Sequence, residues 1–102
     1  TGDELSFGGA QLNLKTHTLH GAAGRVKLGL KEFQIMEILL QNSSQIVERE
    51  TFIEKIWGFD SEAEYNAIEV YISFLRKKLV AIKAGIGIKA VRGVGYALED
   101  AL

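Results

Sequence analysis

The segment Asn66–Leu79, NAIEVYISFLRKKL, decides how this chain folds. At 100° per residue its larger apolar side chains fall within an arc of about 100°, the width that a helix needs to dock on a core. These side chains are Ile68, Tyr71, Ile72, Leu75 and Leu79. An opposite arc of about 120° is mostly polar and ends in cations; it contains Asn66, Glu69, Val70, Ser73, Arg76 and Lys77. The pattern predicts an amphipathic helix with one buried side, and a charged outer side of this kind is more often solvated than functional.

Composition limits the chain to one globular domain. At 102 residues, with 47% hydrophobic and 25% charged residues, it has enough apolar material for a single core. It has no cysteine, which excludes disulfides and Cys-containing metal sites and suits a reducing compartment such as the cytoplasm. No apolar run approaches 18 residues, so we expect no membrane span. The opening TGDELSF lacks a signal-peptide pattern and suggests a fragment of a longer chain, residues 1–102 forming one domain of it.

The net charge of −1 hides an uneven distribution. Residues 1–65 contain six Lys or Arg and ten Asp or Glu, a net charge of −4. Residues 66–102 contain six Lys or Arg and three Asp or Glu, a net charge of +3. The basic half begins with the amphipathic helix, which is the asymmetry that binding to a polyanion requires.

The N-terminal quarter alternates apolar and polar residues around glycines, which predicts a meander of four short strands. The strands are predicted at residues 5–7, 11–14, 18–20 and 25–28. His17 and His20 lie here at a spacing that suits metal on a helix, but residues three apart in a strand point to opposite faces. We therefore predict no metal and no cofactor.

Two further helices are predicted before the basic one. Residues 30–41, LKEFQIMEILLQ, and residues 49–57 each place their apolar side chains on one face, and Gly58 ends the second helix. The intervening Ile46-Val47 is interpreted as a short apolar link. Residues 58–65 allow two interpretations: Ser61 and Glu64 form a capping box that starts the third helix near Glu62, or the segment is an open acidic loop and the helix starts near Tyr65.

The C-terminal part predicts a β-hairpin. Gly85 and Gly87 end the helical region, and alternating residues 88–91 and 96–99 flank a turn that carries Arg92. The Gly93-x-Gly95 pair lacks the strand-then-helix context of a phosphate-binding loop, so the turn is the better interpretation.

Strands, three helices and a hairpin in this order predict an α+β fold, a winged helix-turn-helix with an N-terminal four-stranded antiparallel sheet and a C-terminal β-hairpin wing. Four sequence motifs stand out along the chain: Lys31-Glu32-Phe33, Trp57-Gly58 followed by an aromatic residue and Asp60, Leu75-Arg76-Lys77-Lys78-Leu79, and Val91-Arg92-Gly93-Val94-Gly95-Tyr96. Through these motifs the sequence, from Leu5 to Glu99, resembles the C-terminal effector domain of OmpR/PhoB-type response regulators of bacterial two-component systems.

The resemblance implies a transcription regulator that is not an enzyme, and that binds double-stranded DNA at tandem half-sites, as a homodimer joined to a receiver domain. Its third helix would enter the major groove and its wing the adjacent minor groove. The implied DNA-binding residues are Trp57, Asn66, Glu69, Val70, Ser73, Phe74, Arg76, Lys77, Lys89 and Arg92. The segment between the second and third helices would be a loop that contacts RNA polymerase, which favours the loop interpretation; its residues are Phe59, Asp60, Ser61, Glu62 and Glu64.

Side-chain chemistry gives several of these positions specific tasks. Val70 suits a thymine methyl group and Glu69 suits a cytosine amino group, whereas Arg76 and Lys77 suit phosphates. Arg92 suits a narrow A·T-rich minor groove, whose negative potential attracts a guanidinium group. Phe74 suits either a thymine methyl group or packing against the wing, and we predict packing.

A second hypothesis is a winged helix that acts mainly as a protein-interaction module through the acidic loop and the apolar Val70 and Phe74. An enzyme is the weakest hypothesis, because no nucleophile with a nearby base and no paired buried carboxylates can be assembled from the sequence.

Overall fold

The computed structural model describes residues 3–43, 45–58 and 65–100, and only the backbone of residues 65–67. Within these residues the chain forms a four-stranded sheet, three helices and a second sheet that ends in a hairpin. The predicted α+β winged-helix architecture is therefore confirmed. No helix in the described part is long and apolar enough to cross a membrane.

The N-terminal sheet is an antiparallel meander of β1 (Glu4–Phe7), β2 (Ala10–Asn13), β3 (Thr18–Gly21) and β4 (Gly24–Lys27). Its register aligns one apolar residue from each strand in a row across the sheet, and these residues are Leu5, Leu12, Leu19 and Val26. The row packs on the core because cross-strand neighbours share one face of the sheet.

His17 lies in the turn before β3, with a φ of 57°, whereas the prediction of no metal site treats it as a strand residue. Its imidazole ring stacks on the ring of Phe33 with 3.8 Å between centroids. The side chain therefore serves the packing of the sheet on the first helix.

The helices are α1 (Leu30–Gln41), α2 (Arg49–Phe52) and α3 (Tyr65–Ala81). The bounds of α1 are those predicted, whereas α3 continues two residues beyond Leu79. The continuation of α2, Ile53–Trp57, is a π-helical turn that ends at Gly58, whose φ is 88° and whose N–H donates to Ile53 O at 2.9 Å. The capping box and the open acidic loop are alternative interpretations of residues 58–65, and residues 59–64 of this segment lie outside the described residues.

The second sheet contains one strand more than the predicted hairpin. It has the order β5 (Val47–Glu48), β7 (Gly95–Asp100), β6 (Ile86–Val91), so the predicted apolar link at Ile46-Val47 is corrected to an edge strand. Gly87 belongs to β6 and does not end the helical region. Gly95 permits the close approach of β5, because a Cβ atom there would overlap Val47 O.

The core forms where α1 and α3 pack on each other, with α1 also contacting β1 and β7 and α3 contacting β6. Its fully buried side chains include Ile35, Met36, Leu39, Phe52, Ile68, Ile72, Leu75 and Leu79. The carboxylate of Glu32 is buried beside them and accepts the Gly29 N–H at 2.8 Å and Lys78 Nζ at 2.7 Å. This pair joins α3 to α1. Because the apolar side of α3 is buried, its polar side faces outward.

Candidate nucleic-acid interface

The outward side of α3 is the side that the sequence predicted. Glu69, Val70, Ser73 and Lys77 are exposed, whereas Ile68, Ile72, Leu75 and Leu79 are buried. Tyr71 is half-buried at the edge between the two sides. The side chain of Asn66 lies outside the description.

The hairpin that joins β6 and β7 lies directly beside this exposed surface. A cleft of about 390 Å³ separates α3 from the hairpin. Arg92 lines the cleft from the hairpin, and Glu69 and Arg76 line it from α3. The expected proximity of the third helix and the wing arginine is therefore observed.

Arg76 ties the helix to the hairpin. Its Nε donates to Ile88 O at 3.0 Å, which joins α3 to β6. Among the described residues its two terminal nitrogens have no hydrogen-bond partner, so they keep N–H donors for an anion. Arg76 thus combines a structural bond with the capacity to bind phosphate.

Arg49, at the start of α2, also lines the cleft, a position that no pattern in the sequence predicted. Its Nη2 donates to Glu69 Oε1 at 3.2 Å, and its guanidinium carbon lies 6.0 Å from the centre of the Tyr96 ring. Its backbone N–H also donates to Val94 O at 3.2 Å. Twenty residues separate Arg49 from Glu69, and no local pattern in the sequence signals their pairing.

The flank of α3 opposite the hairpin carries a row of aromatic rings. Trp57 and Tyr71 have ring centres 6.3 Å apart, and Tyr71 meets Phe74 edge-on at 6.5 Å. Lys31 Nζ lies 5.2 Å from the Trp57 ring at the other end of the row. Phe74 does not line the cleft beside the hairpin, so its predicted packing against the wing is replaced by packing on Tyr71 within α3.

The remaining predicted positions fall around this surface. Trp57 is half-buried at the end of the π-helical turn, and Lys89 is exposed on β6. The cleft is lined by three arginines, which are Arg49, Arg76 and Arg92, and by one carboxylate, that of Glu69. Lys77 lies exposed on α3. Cations therefore outnumber acidic groups here, although the whole chain carries a net charge of −1. The predicted polymerase-contact residues, Phe59, Asp60, Ser61, Glu62 and Glu64, lie outside the described residues.

Residues 23–98 match the family described as "Transcriptional regulatory protein, C terminal". The chain belongs to this family. Its members are the winged-helix DNA-binding output domains of OmpR/PhoB-type response regulators that control transcription, and they are not enzymes.

Among its relatives, the transcriptional regulatory protein DltR of Streptococcus agalactiae is 44% identical over 98 residues. That match covers 96% of this chain but 44% of DltR, so the chain spans less than half the length of this relative. The C-terminal domain of the nisin resistance regulator NsrR is 39% identical with a TM-score of 0.77, over 97% of this chain and all of that domain. The RstA DNA-binding domain of Klebsiella pneumoniae, solved in complex with the RstA box, is 26% identical with a TM-score of 0.75, over 92% of this chain and 94% of that one.

Proposed function

We propose that this domain binds double-stranded DNA with the exposed side of α3 in the major groove and the hairpin tip in the adjacent minor groove. The observation that carries the proposal is the shared cleft, in which Arg92 of the hairpin lies beside Glu69 and Arg76 of α3. A duplex lying along α3 therefore meets both elements at once. The 17 residues of α3 give about 25 Å of helix, enough to place several side chains over base edges.

The chemistry of the exposed side chains divides them into residues that position the domain on the DNA backbone and residues that recognise the base sequence. Arg76 and Lys77 neutralise phosphates, with Lys89 and the indole N–H of Trp57 as further backbone contacts. Glu69, Val70 and Ser73 face the base edges, where a carboxylate accepts from a cytosine amino group and an isopropyl group meets a thymine methyl group. Asn66, one turn before Val70, is proposed to extend the contact toward the start of α3.

Arg92 is proposed to enter the minor groove. The narrow groove of A·T-rich DNA concentrates negative potential, and a guanidinium group on an exposed hairpin suits that potential. This contact gives specificity through DNA shape rather than through base edges.

We infer that the domain acts within a longer response regulator, because the match covers less than half of DltR. The proposal also includes a receiver domain, a dimer on tandem half-sites and an RNA polymerase contact through Phe59, Asp60, Ser61, Glu62 and Glu64. Family membership supports these partners, and the described surface is proposed to supply only the DNA contact.

Selection of bound sites from random duplexes, followed by titration of the selected site, tests the proposal. With about three to five phosphates neutralised by the lysines and arginines of this surface, affinity falls by roughly 40- to 500-fold between 50 and 200 mM salt. Lys15→Ala is a matched control, because Lys15 is an exposed cation paired with Asp3 on the N-terminal sheet. The control retains the wild-type salt dependence. Failure to select any site removes the proposal and favours the protein-interaction hypothesis, which the exposed Val70 and Phe74 support.

A further inference from the structure

Between Glu69 and Lys77 the exposed side of α3 carries two apolar side chains one turn apart, and a third, Val80, lies near the C-terminal end of the helix. Val70 is 48% exposed and Phe74 is 45% exposed, whereas the neighbouring exposed positions Glu69, Ser73 and Lys77 are polar or charged. A single exposed apolar residue is ordinary on a protein surface. Two of them on the surface proposed to enter a major groove require an apolar counterpart on the DNA.

Phe74 forms the exposed end of the aromatic row that contains Tyr71 and Trp57. The Phe74 ring packs edge-on against the Tyr71 ring, and Tyr71 in turn packs against Trp57. Lys31 fixes the far end, because its Nζ lies over the Trp57 ring and donates to Ile56 O at 3.4 Å. The contact with Tyr71 restricts the rotamers that Phe74 can adopt, which lowers the entropy lost on binding.

The only apolar group that a base edge presents in the major groove is the C5-methyl group of thymine. We propose that Val70 and Phe74 form a paired reader of thymine methyl groups, an inference that rests on the proposed DNA-binding function. Positions four apart on a helix are separated by about 6 Å along its axis, and stacked bases by about 3.4 Å. The pair therefore spans methyl groups within two or three consecutive base pairs.

Deoxyuridine tests this inference without altering the protein, because it lacks only the methyl group of thymidine. Each thymidine of the site selected by the wild-type domain is replaced in turn, and the dissociation constant is measured for each duplex. Removal of one buried methyl contact is expected to weaken binding about fourfold. Two thymidines within three consecutive base pairs show this loss, and thymidines outside the α3 contact do not.

Protein variants then assign each methyl group to its side chain by a double-mutant cycle. Phe74→Ala abolishes the deoxyuridine effect at one thymidine and Val70→Ala abolishes it at the other. Phe74→Leu, which keeps an apolar group, retains part of the effect. Val80→Ala is the matched control, since Val80 is an apolar residue with 78% exposure near the C-terminal end of α3, beyond Lys77, and is not among the proposed DNA contacts; the variant keeps both effects. Unfolding midpoints in urea establish that every variant is folded.

A specific site whose affinity is unchanged by every deoxyuridine substitution overturns the inference and leaves the proposed function intact. Deoxyuridine effects that persist in both Phe74→Ala and Val70→Ala also overturn it, because another part of the domain then senses the methyl groups. Absence of any selected DNA site overturns the proposed function and the inference together, and would assign the apolar pair to a protein partner.

Discussion

The guanidinium group of Arg49 lies 3.2 Å from the carboxylate of Glu69, joining the start of α2 to the exposed side of α3. The two side chains are 36% and 53% exposed, so the pair contributes at most about 1 kcal/mol to stability. The pair matters because it positions Glu69, the one carboxylate that lines the cleft, and offsets its negative charge near the proposed path of the DNA.

Arg49→Ala is expected to weaken DNA binding on all sequences, because a cation is lost and Glu69 is left unpaired near phosphates. Glu69→Gln is expected to raise affinity for non-specific DNA, and the double variant should bind better than Arg49→Ala alone. Fluorescence anisotropy with selected and scrambled duplexes measures these effects. Equal losses for Arg49→Ala with and without Glu69→Gln would show that the two side chains are not coupled.

Lys77 and Lys78 are adjacent but are expected to have separable roles. Lys77→Ala should weaken binding on all sequences and flatten the salt slope by about one, while changing stability by less than about 0.5 kcal/mol. Lys78→Ala should destabilise the fold by about 3 kcal/mol, because it leaves the buried Glu32 carboxylate without its cation. Urea unfolding and DNA titration of both variants check the separation. A specific loss at one base pair for Lys77→Ala would instead make Lys77 a base-contacting residue.

Arg92→Ala is expected to reduce affinity and to relax the preference for A·T pairs beside the half-site, because the hairpin loses its minor-groove cation. Comparison of flanking A·T and G·C duplexes measures the preference directly. Wild-type affinity and preference in this variant would remove the hairpin from the interface.

Gly95→Ala is expected to destabilise the second sheet by about 3 kcal/mol, because its Cβ would overlap Val47 O and separate β5 from β7. Gly93→Ala is the matched control in the same hairpin. Gly93 has a φ of 78° with open space around it, so its substitution costs only about 1 kcal/mol of backbone strain. Equal costs in urea unfolding would mean that β5 does not depend on this close approach.

Elements with long helical periodicity were predictable from the sequence. In α1 and α3 the apolar stripe is continuous over three turns or more, and burial of that stripe determines both the helix and its outward side. The alternation of apolar and polar residues in the segments that contain Leu5 and Leu12 likewise predicted the N-terminal meander. The exposure of Glu69, Val70 and Ser73 follows from the same stripe.

Features that depend on distant pairing were not predictable. The two-residue strand β5 is too short to show alternation, and it forms only because β7 passes beside it. Arg49 joins the site through a partner twenty residues away, and Glu32 meets Lys78 across 46 residues. The π-helical turn that ends at Trp57 also has no periodic signature distinct from an α-helix over five residues.

Amide chemical-shift mapping of the domain with the selected duplex tests the central claim most directly. The account predicts that the largest changes fall on Glu69, Val70, Ser73 and Lys77 of α3 and, in the same titration, on Arg92 of the hairpin. Changes confined to β1–β4, or changes on α3 with none at Arg92, would contradict it.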